Sequence, residues 1–356
     1  LRHDGAFLSL ARGMYQTRPP DVHKRIEFSM AVLTAFSLDD ARRLFEAYPG
    51  AAGDAVSKVD PVFAGTVNSS YAAWVSGERR FVRIYEEQGH DGAVAEAERL
   101  GLLAARGVRT PPPIARRDGS FVGDFQGKPV VVFPWRDGQM RCLASVTPRD
   151  AGRVGAALAE LHAAGRDLDV PPGRFEPKDL LARLELLERA PYPAIAKEAG
   201  PLREKLTGWV ARRDPSLPRG LVHGDVFRDN VLWGEDGEIS ALLDFESASS
   251  GVLAYDLMVT LLAWSFRDEL DVAVARALLA GYQAVRPLGD RERDGLLAEG
   301  CVAAIRFTIT RLTDAELRAA EAGTTPRRDK DYRRFAMRLA ALESMGASGL
   351  RGLVAS

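Results

Sequence analysis

The sequence predicts an α+β protein of two lobes, a small antiparallel-sheet N-lobe over 30–135 and a mostly helical C-lobe over 136–356. Three observations predict it. Val, Tyr, Trp and Phe alternate around a glycine turn in 59–85, and proline-punctuated strands follow in 107–133. A helical period separates those two stretches, and helical periods dominate from Thr147 onward. The helical half is interrupted by short apolar runs between 221 and 248, each bounded by turn residues.

Residues 1–29 mix His, Arg, Asp and Pro without a sustained period and lack the apolar core of a signal peptide. They read as a disordered extension or a misplaced start, with the functional chain beginning at or near Met30. Ser37 is a good N-cap, followed by acidic residues and then Ala41, Leu44, Phe45 and Tyr48 at helical spacing. Residues 59–85 read as two strands around the turn Ser76-Gly77-Glu78, and 92–106 as a helix. Proline-punctuated strands follow and end in VVVF, which completes a β-β-α-β-β order with a linker near 134–140. Thr147-Pro148 caps the next helix, with further helices expected at 177–190, at 194–212 and on to about 345.

With 356 residues, 46% hydrophobic content and a formal net charge of −1, the chain has no basic excess to suggest nucleic acid or an anionic membrane. Cys142 and Cys301 lie far apart and form neither a disulfide framework nor a zinc ribbon. A reducing cytoplasm is the expected location. The longest apolar run, 252–264, is broken by Asp256 and is too short to span a bilayer.

The stretch LVHGDVFRDNVLWGEDGEISALLDFESA, 221–248, carries the chemistry. Leu221-Val222, Val231-Leu232-Trp233 and Ile239 to Leu243 read as strands, the last two joined by a turn at 234–237. Closing that hairpin sets Asn230, at the start of one strand, beside Asp244, at the end of the other. An amide oxygen and a carboxylate then converge, and hard oxygens of this kind suit magnesium together with phosphates. Asp225 is held on the loop entering the hairpin, free to accept a proton from a substrate hydroxyl.

His223-Gly224-Asp225-Val226-Phe227-Arg228-Asp229-Asn230 resembles the H-G-D-x-x-x-x-N loop of the aminoglycoside-phosphotransferase-like kinases. Asp244-Phe245-Glu246 is similar to their D-F-G element, and the element from Gly251 to Leu257 also matches. The resemblance implies a bilobal protein-kinase-like fold, ATP and Mg2+ as cofactors, Asp225 as base, and Asn230 and Asp244 on the metal. His223 and Asp256 would brace the loop.

The N-lobe would then hold the nucleotide. No P-loop or dinucleotide fingerprint occurs, but Ala64 to Ser70, including Gly65, Asn68 and Ser69, lies between two strands and could cover phosphates. Kinases place a lysine where this strand has Arg83, whose planar fork is not equivalent. Its helix partner would be Glu96, with Glu98 second, unless Arg83 simply lies on the surface. Val132 to Trp135, with Phe133, occupies the position of the interlobe hinge. His162, beside Leu158 and Leu161, reads as a core histidine rather than a catalytic one.

Three longer stretches, 241–264, 303–318 and 330–339, resemble the homoserine kinase branch of this superfamily, as does the start at Met30. The resemblance covers residues 30 to about 345 and implies a small-molecule acceptor, L-homoserine, in threonine biosynthesis. Between Cys301 and Ala340 there are nine Lys/Arg against five Asp/Glu, which suits an acceptor carboxylate. Arg306 and Arg311 are candidates, at most one of them pointing at the substrate. Departures at Thr308 and Ser249-Ser250 keep other acceptors open: an amino alcohol, choline or an aminoglycoside. A nucleotide-binding pseudokinase is the reading outside the enzyme class.

Overall fold

The computed structural model describes residues 33–50, 55–63, 67–326 and 330–354. The extension 1–29, Met30 and Gly65 lie outside the described residues. Helix α1 (Leu38–Phe45) starts at Ser37, whose hydroxyl accepts from the Asp40 N–H while Asp40 reaches back to the Ser37 N–H. Strands β1 (Val56–Pro61), β2 (Ser69–Val75) and β3 (Glu78–Ile84) follow, then α2 (His90–Ala105), β4 (Val122–Phe125) and β5 (Lys128–Pro134). The order is therefore β-β-β-α-β-β, one strand more than the sequence reading. Residues 59–75 read as one stretch of strand before the turn, but β1 ends at Pro61 and β2 begins at Ser69.

All five strands form one antiparallel sheet in the order β1-β2-β3-β5-β4. Ser76 and Gly77 take φ of 51° and 83°, the left-handed pair that closes a two-residue hairpin between β2 and β3. Alternation along β5 splits the lobe's interior. Val130 and Val132 pack with Phe36, Phe45 and Tyr48 on the α1 side, whereas Val131 and Phe133 join the core that continues into the C-lobe. Each such valine contributes about 1.5–3 kcal/mol of burial, so both faces of the sheet are committed.

The C-lobe runs α3 (Pro148–Ala164), α4 (Pro177–Glu188), α5 (Pro193–Ala196), α6 (Ala199–Val210), β6 (Arg219–Val222), β7 (Val231–Trp233), β8 (Ile239–Leu242), β9 (Ser249–Val252), α7 (Leu253–Trp264), α8 (Val272–Val285), α9 (Asp290–Arg311), α10 (Arg318–Glu321) and α11 (Arg333–Val354). A π-helical turn, Leu312–Leu317, follows α9. The single helix expected over 194–212 is two, α5 and α6. The last helix passes 345 to Val354, kinking at Gly346, where φ is 65°. Strand β9, absent from the sequence reading, pairs antiparallel with β6.

Helices α3 and α8 meet backbone to backbone. A Cβ on Gly155 would sit 2.0 Å from the Leu278 carbonyl, and one on Gly281 would sit 2.0 Å from that of Gly152. This close approach sets His162 of α3 against Tyr282 of α8, Nδ1 to hydroxyl at 2.8 Å. Among the described residues, no helix is long and apolar enough to cross a membrane.

Candidate active site

The catalytic loop is fixed from behind by a buried carboxylate. Asp256, on α7, accepts the backbone N–H groups of His223 and Gly224 at 2.7 and 2.8 Å, and its Oδ2 lies 3.0 Å from His162 Nε2. These N–H groups follow the end of β6 and have no strand partner, so Asp256 does for them what a ladder would. His162 is thus a satisfied core histidine that also orients the brace. The His223 ring lies 4.5 Å from Phe245, and its Nε2 is 3.0 Å from the Leu243 carbonyl. The loop and the Asp244 segment are joined there.

Asp225 leaves the braced turn and meets Asn230, whose amide nitrogen donates to its carbonyl at 2.8 Å and to its Oδ2 at 3.2 Å. Leu243 N–H donates to the Asn230 carbonyl at 2.9 Å, and Val231 pairs with Leu242. The hairpin therefore brings Asp225, Asn230 and the start of the Asp244 segment together, with Asp244 near enough for its charge to act on Asp225. Asp244 itself takes φ of 62°, a strained conformation for a non-glycine residue that costs about 1 kcal/mol or more. Burial raises the Asp225 pKa above 3.8, the Arg306 charge works against it, and the Asp244 charge adds to it. A carboxylate made more basic at this position is suited to take a proton.

The residues fit a divalent ion. With its nitrogen engaged by Asp225, Asn230 keeps its side-chain oxygen available, and no ion pair or hydrogen bond among the described residues engages the Asp244 carboxylate. One carboxylate and one amide oxygen are a donor set that magnesium accepts when phosphates and water complete its shell. Among the described residues, no group of three or more His, Cys, Asp and Glu side chains is placed to hold a metal.

On the N-lobe side, Arg83 is half-buried and paired rather than lying on the surface. Its guanidinium lies 3.6 Å from Glu96 and 3.7 Å from Glu246, and Tyr85 donates to Glu96 at 3.2 Å. Asn68 also reaches Glu246, through its amide nitrogen, while its oxygen accepts the Glu86 N–H at 3.1 Å. Glu246 thereby ties β2 and β3 to the segment that carries Asp244. Burial and the Asp244 charge push its pKa up to about 7, against the pull of Arg83. The sequence reading gave Glu246 no role; a charged residue in place of the glycine of a D-F-G element was the available signal. Ser69 is turned to the Leu33 and Thr34 N–H groups, both at 2.9 Å, and to Glu86. Phe133 is buried opposite Phe81, and Trp135 stands just beyond β5 with Arg79 4.5 Å over its ring.

The two candidate arginines part company. Arg306 is 5% exposed, lies 4.0 Å over Phe175 and 3.8 Å over Phe307, and has a buried Nε with no hydrogen-bond partner. Its charge acts on Asp225 and on Tyr255. Arg174 and Arg183 lie close by, and Arg183 is held by Asp314 at 2.6 Å in the π-helical turn. Arg311 instead donates to the Asp331 carbonyl at 3.0 Å, with its guanidinium 4.5 Å over Phe335. Only Arg306 is brought to Asp225. Arg174 and Tyr255 were missed, because nothing in their local sequence ties them to a helix at 290–311.

The phosphotransferase enzyme family (APH) matches residues 58–295, a span that contains β2, β3, the braced loop and the Asp244 hairpin. The chain belongs to this family. Within it, the chain is 33% identical to a homoserine kinase of Gluconacetobacter diazotrophicus over 299 residues, covering 80% of this chain and 90% of that one. A homoserine kinase of Rhodopseudomonas palustris is 33% identical over 314 residues, covering 86% and 93%. Family likeness extends to solved structures. An amicoumacin kinase hAmiN superposes with a TM-score of 0.65 at 15% identity, covering 86% of this chain and 93% of that one. A choline kinase of Cryptosporidium parvum gives 0.59 at 14%, covering 88% and 98%. At such identities they show the fold, which is the bilobal kinase-like one, and the protein is a phosphotransferase.

Proposed function

We propose that this phosphotransferase moves the γ-phosphoryl group of ATP to the side-chain hydroxyl of L-homoserine, giving O-phospho-L-homoserine in the cytoplasm. One observation carries the acceptor assignment: a buried arginine without an ion-pair partner among the described residues, Arg306, stands within charge range of the proposed base Asp225. A hydroxyl at Asp225 and a carboxylate at Arg306 are the two ends of a small hydroxy amino acid. The curated homoserine kinases, matched over most of their length, support the same reading.

Asp225, raised by burial, orients the hydroxyl and takes its proton as the bond to phosphorus forms. Asp256 holds the His223–Gly224 backbone so that Asp225 keeps this position without rearrangement. Bound magnesium, held by Asn230 and Asp244, would neutralise charge on the β- and γ-phosphates. Arg83, supported by Glu96, takes the phosphate-pairing role in the N-lobe, with Asn68 and Ser69 beside it where β2 begins. The backbone of Phe133 to Trp135 would receive the adenine. Arg174, Arg183 and Arg306 together disfavour a polycationic aminoglycoside or choline, which would meet like charge.

An acceptor panel assayed by ADP release tests the reading. Homoserine should be turned over well ahead of choline, amino alcohols and aminoglycosides. Turnover of one of those instead, or none at all, would overturn it.

A further inference from the structure

A second group of arginines gathers around α11 and the outer side of the catalytic loop. Arg338 is 5% exposed; its guanidinium lies 4.3 Å over Phe335 and 5.8 Å over Phe266, and its Nη1 is buried without a hydrogen-bond partner. Arg311 covers the same Phe335 ring at 4.5 Å. Arg228, three residues after Asp225, is positioned by the Ala263 carbonyl at 2.6 Å. Arg334, half-buried one helical turn before Arg338, completes the group. Uncharged carbonyls and ring faces set the geometry of Arg228 and Arg338. The Asp229 charge acts on Arg228, but neither Arg334 nor Arg338 has an ion pair among the described residues. Burial, then the like charges of Arg311, Arg334 and Arg228, push the Arg338 pKa down to about 9.

Cationic groups held this close, one of them buried and unpaired, destabilise a fold unless an anion joins them. A single carboxylate offsets only one of the two charges, Arg334 and Arg338, that have no ion pair among the described residues. A phosphate-type group brings about two charges and several acceptor oxygens, which the planar forks of arginine match in pairs. Nor is this the acceptor pocket. Phe335 stacks on Phe307 at 4.7 Å, and it is Phe307 that Arg306 covers, so two stacked rings stand between Arg338 and Arg306. We propose that Arg228, Arg334 and Arg338, with Arg311 at their edge, form a second site for a phosphate-type oxyanion, inorganic phosphate or a phosphomonoester. Its occupant would touch the catalytic loop through Arg228.

The test is thermal unfolding of the full chain, with the nucleotide cleft saturated by magnesium and a non-hydrolysable ATP analogue. Inorganic phosphate and O-phosphoserine are titrated separately at constant ionic strength. Either anion should raise the wild-type midpoint by about 2 °C or more once well above its dissociation constant. The anion that gives the larger shift identifies the source. Arg338→Met should abolish the shift and melt above wild type in anion-free buffer, because it removes an unpaired buried charge. Arg334→Gln, at a half-buried position without side-chain hydrogen bonds among the described residues, should weaken the anion response several-fold and serves if Arg338→Met does not fold. An unresponsive wild type, or variants that respond as it does, would overturn the proposal. So would a response to homoserine but to neither phosphate anion, which would make the cluster part of the acceptor pocket.

Discussion

His162 Nε2 and Asp256 Oδ2 stand 3.0 Å apart, with neither side chain open to solvent. Asp256 also carries two backbone N–H groups of the catalytic loop. Truncation to alanine leaves three buried polar groups without partners, each costing about 1–3 kcal/mol. Asp256→Ala should therefore lose at least about 3 kcal/mol of unfolding free energy in urea, and activity should fall with it.

The same residue sets an acid limit. Burial alone would raise the Asp256 pKa, but the hydrogen bond and charge of His162, with His223, hold it below 3.8. A depressed carboxylate stabilises the fold fully above its unfolded value and loses that contribution as pH falls through the folded one. Wild-type stability should drop more steeply below about pH 3.8 than that of Asp256→Asn, measured by urea unfolding across the acid range.

Asp225→Asn keeps the hydrogen bond from Asn230 but removes the proton acceptor. Turnover should fall by about 10²- to 10⁴-fold, while binding of a non-hydrolysable ATP analogue stays within a few-fold of wild type. A rate within tenfold of wild type would show that Asp225 is not the base.

Arg306→Leu separates acceptor from nucleotide. Loss of a charged hydrogen bond of about 1.5–3 kcal/mol raises the acceptor KM roughly 10- to 150-fold, with the ATP KM unchanged. Because Arg306 pulls the Asp225 pKa down, the variant's acidic limb of kcat/KM should also move to higher pH. An unmoved limb would mean that the two charges do not communicate.

Gly155→Ala tests the α3–α8 contact. The new methyl would press on the Leu278 carbonyl, where helix backbones leave little room to relax. A loss of about 1–3 kcal/mol or more is expected in urea unfolding, with acceptor and ATP KM values preserved in whatever fraction folds.

Local spacing made the centre of the site legible. Asp225 and Asn230 are five apart on one loop, and a recognisable turn at 234–237 folds Asp244 back toward them. The unbroken apolar run Val130 to Phe133 likewise read as a strand, which the structure buries on both faces. Where a residue's role depends on a distant partner, the chain gave no sign of it. Asn68 and Glu246 are 178 positions apart, and a glutamate after Asp-Phe has no local pattern that points to an asparagine just before β2. Strand β9 escaped notice because Ser249-Ser250-Gly251 has turn composition and becomes a strand only by pairing with β6. Arg306 and Arg311 were indistinguishable by spacing; the faces of Phe307 and Phe335 separate them.

From Asp256 a relay of polar side chains continues through His162 and Tyr282 to Arg286, 3.1 Å from the tyrosine hydroxyl, and on to Glu292 at 2.8 Å. Glu292 closes the first turn of α9, the helix whose far end presents Arg306. The anchor of the Asp225 loop and the root of the helix that carries Arg306 thus share one internal spine. A lineage could exchange the residue at 306 for another side chain while the Asp256 anchor beneath the Asp225 loop stays in place.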